Sequence, residues 1–276
     1  GVFAPDFVSI GDLFAGAIIP GLILVACYGL YVFFVAVRNP QMAPPMEASE
    51  FQQSRRSVLI ALLKGLIPPV ALMIAVLGSI LMGLATPTEA ASIGALGAIV
   101  LALLKKALSL QVLHSVAIET LRVTSMVYLI LVGATIFSSV FRGFGGDLLI
   151  EDLLLNLPGG VISATFIVML LIFLLGFILD FIEITFMIVP LVGPILLAMG
   201  VDPIWLGIMI AINLQTSFLT PPFGFSLFYL RSVAPEEIKT EEIYRGVIPF
   251  VMMQVALMIL LALQPSLATW LPGVLQ

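Results

Sequence analysis

Long apolar runs fill this chain, and short polar stretches cut them at nearly regular intervals. Residues 12–37 are apolar almost throughout and close at Arg38-Asn39-Pro40. A helix of that length exceeds the about 20 residues needed to cross a hydrocarbon layer. Residues 39–56 read as a polar linker holding Pro44-Pro45, Glu47, Glu50 and Arg55-Arg56. Residues 57–84 form a second span, with Lys64 near its start and a kink expected at Pro68-Pro69. Residues 90–104 form a third, closed by Lys105-Lys106.

The pattern then changes. Leu110, Leu113, Ala117 and Leu121 make an apolar stripe, and Gln111, His114, Ser115, Glu119 and Arg122 a polar one. This predicts a helix over 107–122 lying along the membrane surface, with His114 solvated. Residues 123–141 are apolar again and run into Arg142-Gly143-Phe144-Gly145-Gly146-Asp147, then Glu151, Asp152 and Pro158-Gly159-Gly160. Such a segment is either a full crossing or a re-entrant hairpin. Lysines and arginines gather on the cytoplasmic side of membrane proteins. Arg38, Arg55, Arg56, Lys64, Lys105 and Lys106 would lie there, and Arg231, Lys239 and Arg245 should join them. With 161–199 and 203–231 counted as one crossing each, this requires a hairpin at 123–160. Residues 161–199 must then be a long or broken crossing. A polar connection over 232–245 leads to a last span at 247–271.

Composition fixes the class. The chain has 276 residues, 61% hydrophobic and 10% charged, with a mean hydropathy of +1.23. So little charge over such a length excludes a soluble domain and predicts an all-α, multi-pass membrane protein. The net charge of −5 says little, because orientation depends on where the basic residues fall. The single Cys27 forms no internal disulfide and reads as a small buried apolar residue. Residues 1–10 lack the basic and apolar regions of a signal peptide. No nucleotide motif is visible; lipid surrounds the chain, and no nucleic-acid partner is expected.

Two features carry chemistry. Asp180 and Glu183 interrupt one apolar run, and Thr220-Pro221-Pro222 breaks the next. Charge and broken backbone are costly in hydrocarbon unless they line a polar cavity, so a site for a small solute or ion is expected. On a continuous helix Asp180 and Glu183 share a face, where they repel unless a cation or a proton neutralises them. The two prolines remove amide donors and end a helix at Leu219. Carbonyls freed there can coordinate a hard cation such as Na⁺, with the Thr220 hydroxyl adding an oxygen. Antiparallel crossings are expected to bring Gly176 and Thr220 together. Ser138, Ser139 and Arg142 fall at the expected hairpin tip, where Arg142 pairs either with a carboxylate substrate or with Asp147. Thr86-Pro87-Thr88-Glu89 has the form of a helix start, with Thr86 as N-cap, Pro87 at the first position and Glu89 reaching back.

The two ends of the chain echo each other. Asp12-Leu13-Phe14-Ala15-Gly16-Ala17-Ile18-Ile19-Pro20 matches Glu242-Ile243-Tyr244-Arg245-Gly246-Val247-Ile248-Pro249, with one extra residue in the first copy. The charge rule runs the two copies in opposite directions, the signature of inverted-repeat transporters. Residues 1–38 then end a first repeat and 57–276 form the second. On that logic roughly 150–200 residues of the first repeat are expected upstream.

Several motifs together resemble a known family. Gly83-Leu84-Ala85-Thr86-Pro87-Thr88-Glu89-Ala90-Ala91, Gly176-Phe177-Ile178-Leu179-Asp180, Val189-Pro190, and Asn213 through Leu219-Thr220-Pro221-Pro222-Phe223-Gly224 occur in order. Gly246-Val247-Ile248-Pro249-Phe250 closes the series. The set is similar to the large membrane subunit of tripartite ATP-independent periplasmic (TRAP) transporters, over essentially the whole chain. The resemblance implies an inner-membrane, inverted-repeat elevator, with scaffold helices at 57–104, transport helices at 161–231 and a final scaffold helix at 247–271. It implies Na⁺ as the coupling ion with no other cofactor, a small four-helix membrane subunit, and a periplasmic solute-binding protein delivering an organic acid. It assigns the sodium site of the second repeat to Gly176, Ser217, Thr220 and Phe223, mostly through carbonyls. Ser217 stands where relatives often carry glycine. Asp180, Glu183, Ser138, Ser139, Arg142, Pro221, Pro222 and Gly224 are the implied cavity residues. Asp180 is expected at a helix break beside the sodium site, and Glu183 either protonated or paired with a residue of the first repeat. The acidic spacing is closer to the subgroup named for mannitol or chloroaromatic compounds than to the dicarboxylate pattern.

Two other readings fit parts of the chain. A sodium–carboxylate symporter of similar architecture needs no binding protein. An intramembrane aspartyl protease needs a second aspartate at the depth of Asp180, and Asp147 and Asp202 fall in polar or loop contexts.

Overall fold

The computed structural model describes residues 8–42, 55–220, 224–235 and 238–275, all helix and connecting turns. The elements in order are α1 (Ile10–Arg38), α2 (Arg55–Leu81), α3 (Pro87–Leu104), α4 (Leu110–Gly143) and α5 (Gly146–Leu155). They continue through α6 (Gly160–Leu175), α7 (Phe181–Glu183), α8 (Val189–Ala198), α9 (Pro203–Leu219), α10 (Phe225–Val233), α11 (Thr240–Leu263) and α12 (Ser266–Leu275). A π-helical stretch, Ile184–Ile188, fuses α7 to α8 into one helix, Phe181–Ala198. Its cause is local: Pro190 offers no N–H to the turn before it. Among the described residues, six helices are long and apolar enough to cross a membrane. The predicted linker holding Pro44-Pro45, Glu47 and Glu50 falls largely outside the described residues.

Helix ends follow capping chemistry. Thr86 caps α3, accepting from Glu89 N at 3.4 Å, while Glu89 Oε2 takes the Thr86 N–H at 2.7 Å. Pro87 occupies the first turn. Thr86→Ala should lower stability by about 1 kcal/mol, read as an earlier thermal unfolding transition in detergent. The two echoing segments share a second such feature. Ser9 N donates to Asp12 Oδ2 at 2.9 Å, and Lys239 N donates to Glu242 Oε2 at 2.8 Å. Asp12 and Glu242, the matched acidic residues, thus hold the same place at the start of their helices.

Close helix approaches fix the direction of each element. Gly11 lies against Ile80, Gly94 against Val76 and Gly97 against Leu72, so α1, α2 and α3 alternate. Gly16 lies against Ala268, Ile204 and Ile208, and Gly207 against Leu13. Tyr28 and Tyr31 meet the Phe250 ring edge-on, at 5.0 and 5.4 Å, and Trp205, near Gly207 and Leu13, reaches Leu261, so α11 runs antiparallel to α1. Trp205 Nε1 donates to the Leu261 carbonyl at 2.8 Å, which sets the start of α9 beside the end of α11. Arg38, Arg56, Lys105, Lys106, Lys239 and Arg245 consequently cap helix ends on one side of the molecule.

Three sequence expectations change. No boundary interrupts α4 at residue 122: the amphipathic stretch and the apolar run after it are one helix of 34 residues. No glycine or proline occurs from Leu110 to Val132 to break it. The last span instead divides at Gln264-Pro265, because the residue before a proline leaves the helical region; Gln264 has φ −132° and ψ 73°.

The third change concerns 161–199, which is not one crossing. Asn213 of α9 bonds Met169 of α6, and Ser217 farther along α9 meets Gly176 farther along α6, so these two helices are parallel. The starts of both, Val161 and Asp202, line one groove. The link from Ala198 to Pro203 is short, so Phe181–Ala198 must run back to the end from which α6 set out. The 16 residues of α6 and the 18 of Phe181–Ala198 give arms of about 24 and 27 Å, which agree in length. The parity demanded by the basic residues therefore survives with roles exchanged. Gly160 to Ala198 returns to its own side, and the net passage from the basic side falls within 110–160. The sequence could not choose, because hydropathy counts apolar residues and not their direction.

Candidate functional site

Two helix C-termini meet at the tip of this arrangement. Gly176 ends α6, and Ser217 lies in the last turn of α9. A Cβ at Gly176 would collide with Cβ and Oγ of Ser217, so only glycine permits the contact. Past Gly176 the chain leaves the helical path for a turn in which Phe177 N donates to the Leu174 carbonyl, and Ile178 N and Leu179 N both donate to that of Leu175. The N–H groups of the turn are thus bonded. Carbonyls at a helix C-terminus lack intrahelical donors and carry partial negative charge.

Polar groups on α9 repeat at helical spacing. Asn213, Thr216 and Ser217 are buried and Thr220 half-buried. Thr216 Oγ1 donates to the Ile212 carbonyl at 2.8 Å, Ser217 Oγ to that of Asn213 at 3.1 Å, and Thr220 Oγ1 to that of Thr216 at 2.7 Å. Each hydroxyl spends its proton inside the helix and keeps its lone pairs. Thr220 itself is extended, with φ −93° and ψ 129°, as the residue before Pro221 should be. Gly224 then lies against the end of α9: a Cβ there would stand 3.0 Å from the Phe218 carbonyl oxygen and 3.1 Å from that of Thr220.

A cavity of about 10 Å³ occupies this junction, lined by Gly176, Asp180, Ser217, Phe218, Leu179 and Leu214 among others. It has room for a body the size of one water or one ion. Asp180 is the N-cap of α7, its Oδ1 accepting from Phe181 N at 2.7 Å, and Glu183 lies half-buried in the first turn. The acidic pair therefore does not sit in mid-helix. It marks a new helix N-terminus, where negative charge is favoured. Phe181 packs edge-on against Phe218 at 6.1 Å, beside the cavity. Among the described residues no three His, Cys, Asp or Glu side chains gather as a metal cluster. The oxygens at hand are carbonyl, hydroxyl and carboxylate, a hard set suited to an alkali cation.

Gly176, Asp180 and Ser217 line the cavity, brought there by parallel helices and not by the antiparallel crossings expected, while Thr220 and Gly224 lie at the end of α9 and are not among its lining residues. Phe223, Pro221 and Pro222 lie outside the described residues. Ser138, Ser139 and Arg142 end α4, just before the turn at Gly145 (φ +74°), and none lines the cavity. Among the described residues no ion pair joins Arg142 to Asp147. Thr86, Pro87 and Glu89 are remote and serve as a cap. The sequence reading gave Asn213 no place among the site residues and passed over Thr216 and Gln254, all fully buried. For the first two a signal existed: positions 213, 216, 217 and 220 form one polar stripe in an apolar helix. A wider groove of about 630 Å³ between α6, α9 and α11 is almost wholly apolar, apart from Thr165 and Asp202, and offers no ion site.

Residues 3–267 match the family model described as tripartite ATP-independent periplasmic transporter, DctM component. The sialic acid TRAP transporter large permease protein of Vibrio cholerae is 29% identical over 265 residues, 96% of this chain and 60% of that protein. The sialic acid TRAP transporter permease protein of Haemophilus influenzae is 26% identical, over 100% of this chain and 43% of its own length. The C4-dicarboxylate TRAP transporter large permease protein of Pseudomonas aeruginosa is 27% identical, over 96% and 60%. The chain thus spans about two-fifths to three-fifths of the length of these relatives.

Proposed function

Because the chain belongs to the DctM family of tripartite ATP-independent periplasmic transporters, we propose that it works within the large membrane subunit of a sodium-coupled carrier for an organic acid. The family is one of transporters, not enzymes, and the chain is a multi-pass protein of the inner membrane. The observation that carries the sodium reading is the meeting of two helix C-termini at Gly176 and Ser217. Half-helix C-terminal ends and unwound carbonyls are the usual Na⁺ ligands of broken-helix transporters. Gly176, Ser217, Thr220 and Phe223 supply the oxygens, mostly from the main chain, and Asp180 adds negative charge beside them. Glu183, Pro221, Pro222 and Gly224 shape the adjoining cavity. Ser138, Ser139 and Arg142, in the last turns of α4, meet a carboxylate substrate.

The positive-inside tendency puts the side bearing Arg38, Lys105 and Lys239 in the cytoplasm. The antiparallel α1 and α11, with Asp12 and Glu242 in equivalent caps, support an inverted repeat. In that frame the paired arms and α9 move as an elevator unit past a scaffold containing α1 and α11. A four-helix membrane subunit braces the scaffold, and a periplasmic solute-binding protein delivers the substrate. The test is uptake into liposomes holding the transporter and its partner subunits, with binding protein loaded with sialic acid or a C4-dicarboxylate outside. Uptake should require an inward sodium gradient and collapse when choline replaces sodium. Equal uptake in choline would refute the coupling.

A further inference from the structure

We propose that Asn213 is a positioning residue of this site: its amide ties α9 to α6 and so sets the separation of Gly176 from Ser217. The inference rests on the sodium reading above. Asn213 is fully buried, and its Nδ2 donates to the Met169 carbonyl at 2.7 Å, with Met169 Sδ at 3.7 Å. Met169 lies about two helical turns before Gly176, and Asn213 about one turn before Ser217. Those spacings place tie and contact on the same face of each helix. Ser217 Oγ donates to the Asn213 carbonyl at 3.1 Å, which couples the two levels again.

The other half of the amide argues against a role in stability alone. Asn213 Oδ1 is buried with no hydrogen-bond partner among the described residues. An unpaired acceptor at that depth is unfavourable, and an apolar side chain of similar size would remove it. The bond to Met169 is what such a replacement would lose. A cation site needs that bond more than the fold does, because its oxygens must be held to within about 0.5 Å. Without the tie, α9 can slide along α6 while both helices stay packed through Leu206, Met209, Val168 and Ile172.

The test measures sodium activation of uptake, and the sodium-dependent rise in unfolding temperature, for Asn213→Leu and Asn213→Asp. Burial keeps the aspartate neutral, so its hydroxyl can still donate to Met169. The leucine variant should need about tenfold more Na⁺ for half-maximal uptake, and its unfolding temperature in choline should not fall. The aspartate variant should recover most of that affinity. Half-saturation within about twofold of the parent for the leucine variant, or an aspartate variant no better than leucine, would overturn the proposal. If the leucine variant fails to fold, Asn213→Ala is read by the same criteria. Loss of sodium dependence in the parent itself would instead sink the underlying sodium reading.

Discussion

Gly176→Ala is expected to cut sodium-driven uptake severely, and Ser217→Gly in the same chain is expected to restore most of it. The added Cβ would overlap Cβ and Oγ of Ser217, so the collision is between two side chains at a helix crossing. Overpacking of this kind costs about 1–3 kcal/mol. If the strain is released by parting α6 from α9, the same energy appears as sodium affinity, roughly ten- to a hundredfold weaker. Removing the Ser217 side chain clears that space, leaving only the Ile172 carbonyl oxygen at 3.3 Å from the new Cβ. The double variant therefore separates steric separation from loss of a ligand. Recovery of uptake would show that Ser217 contributes its carbonyl and not its hydroxyl. No recovery, with folding intact, would mean that the Gly176–Ser217 contact does not govern ion binding. Gly176→Val in place of alanine should be refractory to the rescue, because its branches reach past the space vacated.

What could be foreseen from the residues divides along a physical line. Local rules spoke clearly. Thr86-Pro87-Thr88-Glu89 announces a cap because every group in it bonds within a single turn. Thr220 before Pro221 announces a helix end because the proline clash is with the residue just before it. Direction in space is not local. Nothing in 161–199 states that α6 and Phe181–Ala198 fold back on each other. That follows only from Asn213 meeting Met169 while Ser217 meets Gly176, contacts separated by more than forty residues. The acidic pair shows the same limit. Three residues apart, Asp180 and Glu183 suggested a shared helical face, yet the break at Gly176 makes one an N-cap and sets the other in the first turn. The strongest clue left unused was the stripe through Asn213, Thr216, Ser217 and Thr220. A Thr-Pro-Pro break draws the eye to its own end of the helix, while the polar face leading to it holds the helix in place.

That face sharpens the second large effect, at Thr220. Its Oγ1 already donates to the Thr216 carbonyl at 2.7 Å, so toward any further partner the hydroxyl can act only as an acceptor. A cation is the partner that such an oxygen suits. Thr220→Val keeps the shape and removes the oxygen. The fold should lose about 0.5–1.5 kcal/mol from the missing helix bond. Sodium binding should lose more, because an oxygen facing an ion is worth about 1.5–3 kcal/mol, or roughly ten- to a hundredfold in half-saturating Na⁺. Thr220→Ser keeps both interactions and should transport nearly as the parent does. The decisive comparison is sodium titration of uptake for the three proteins at one substrate concentration. A valine variant with parental sodium affinity would remove the hydroxyl from the coordination set, leaving carbonyls at the two helix ends to bind the ion unaided. A serine variant as impaired as valine would show that the methyl group of Thr220 matters more than the oxygen.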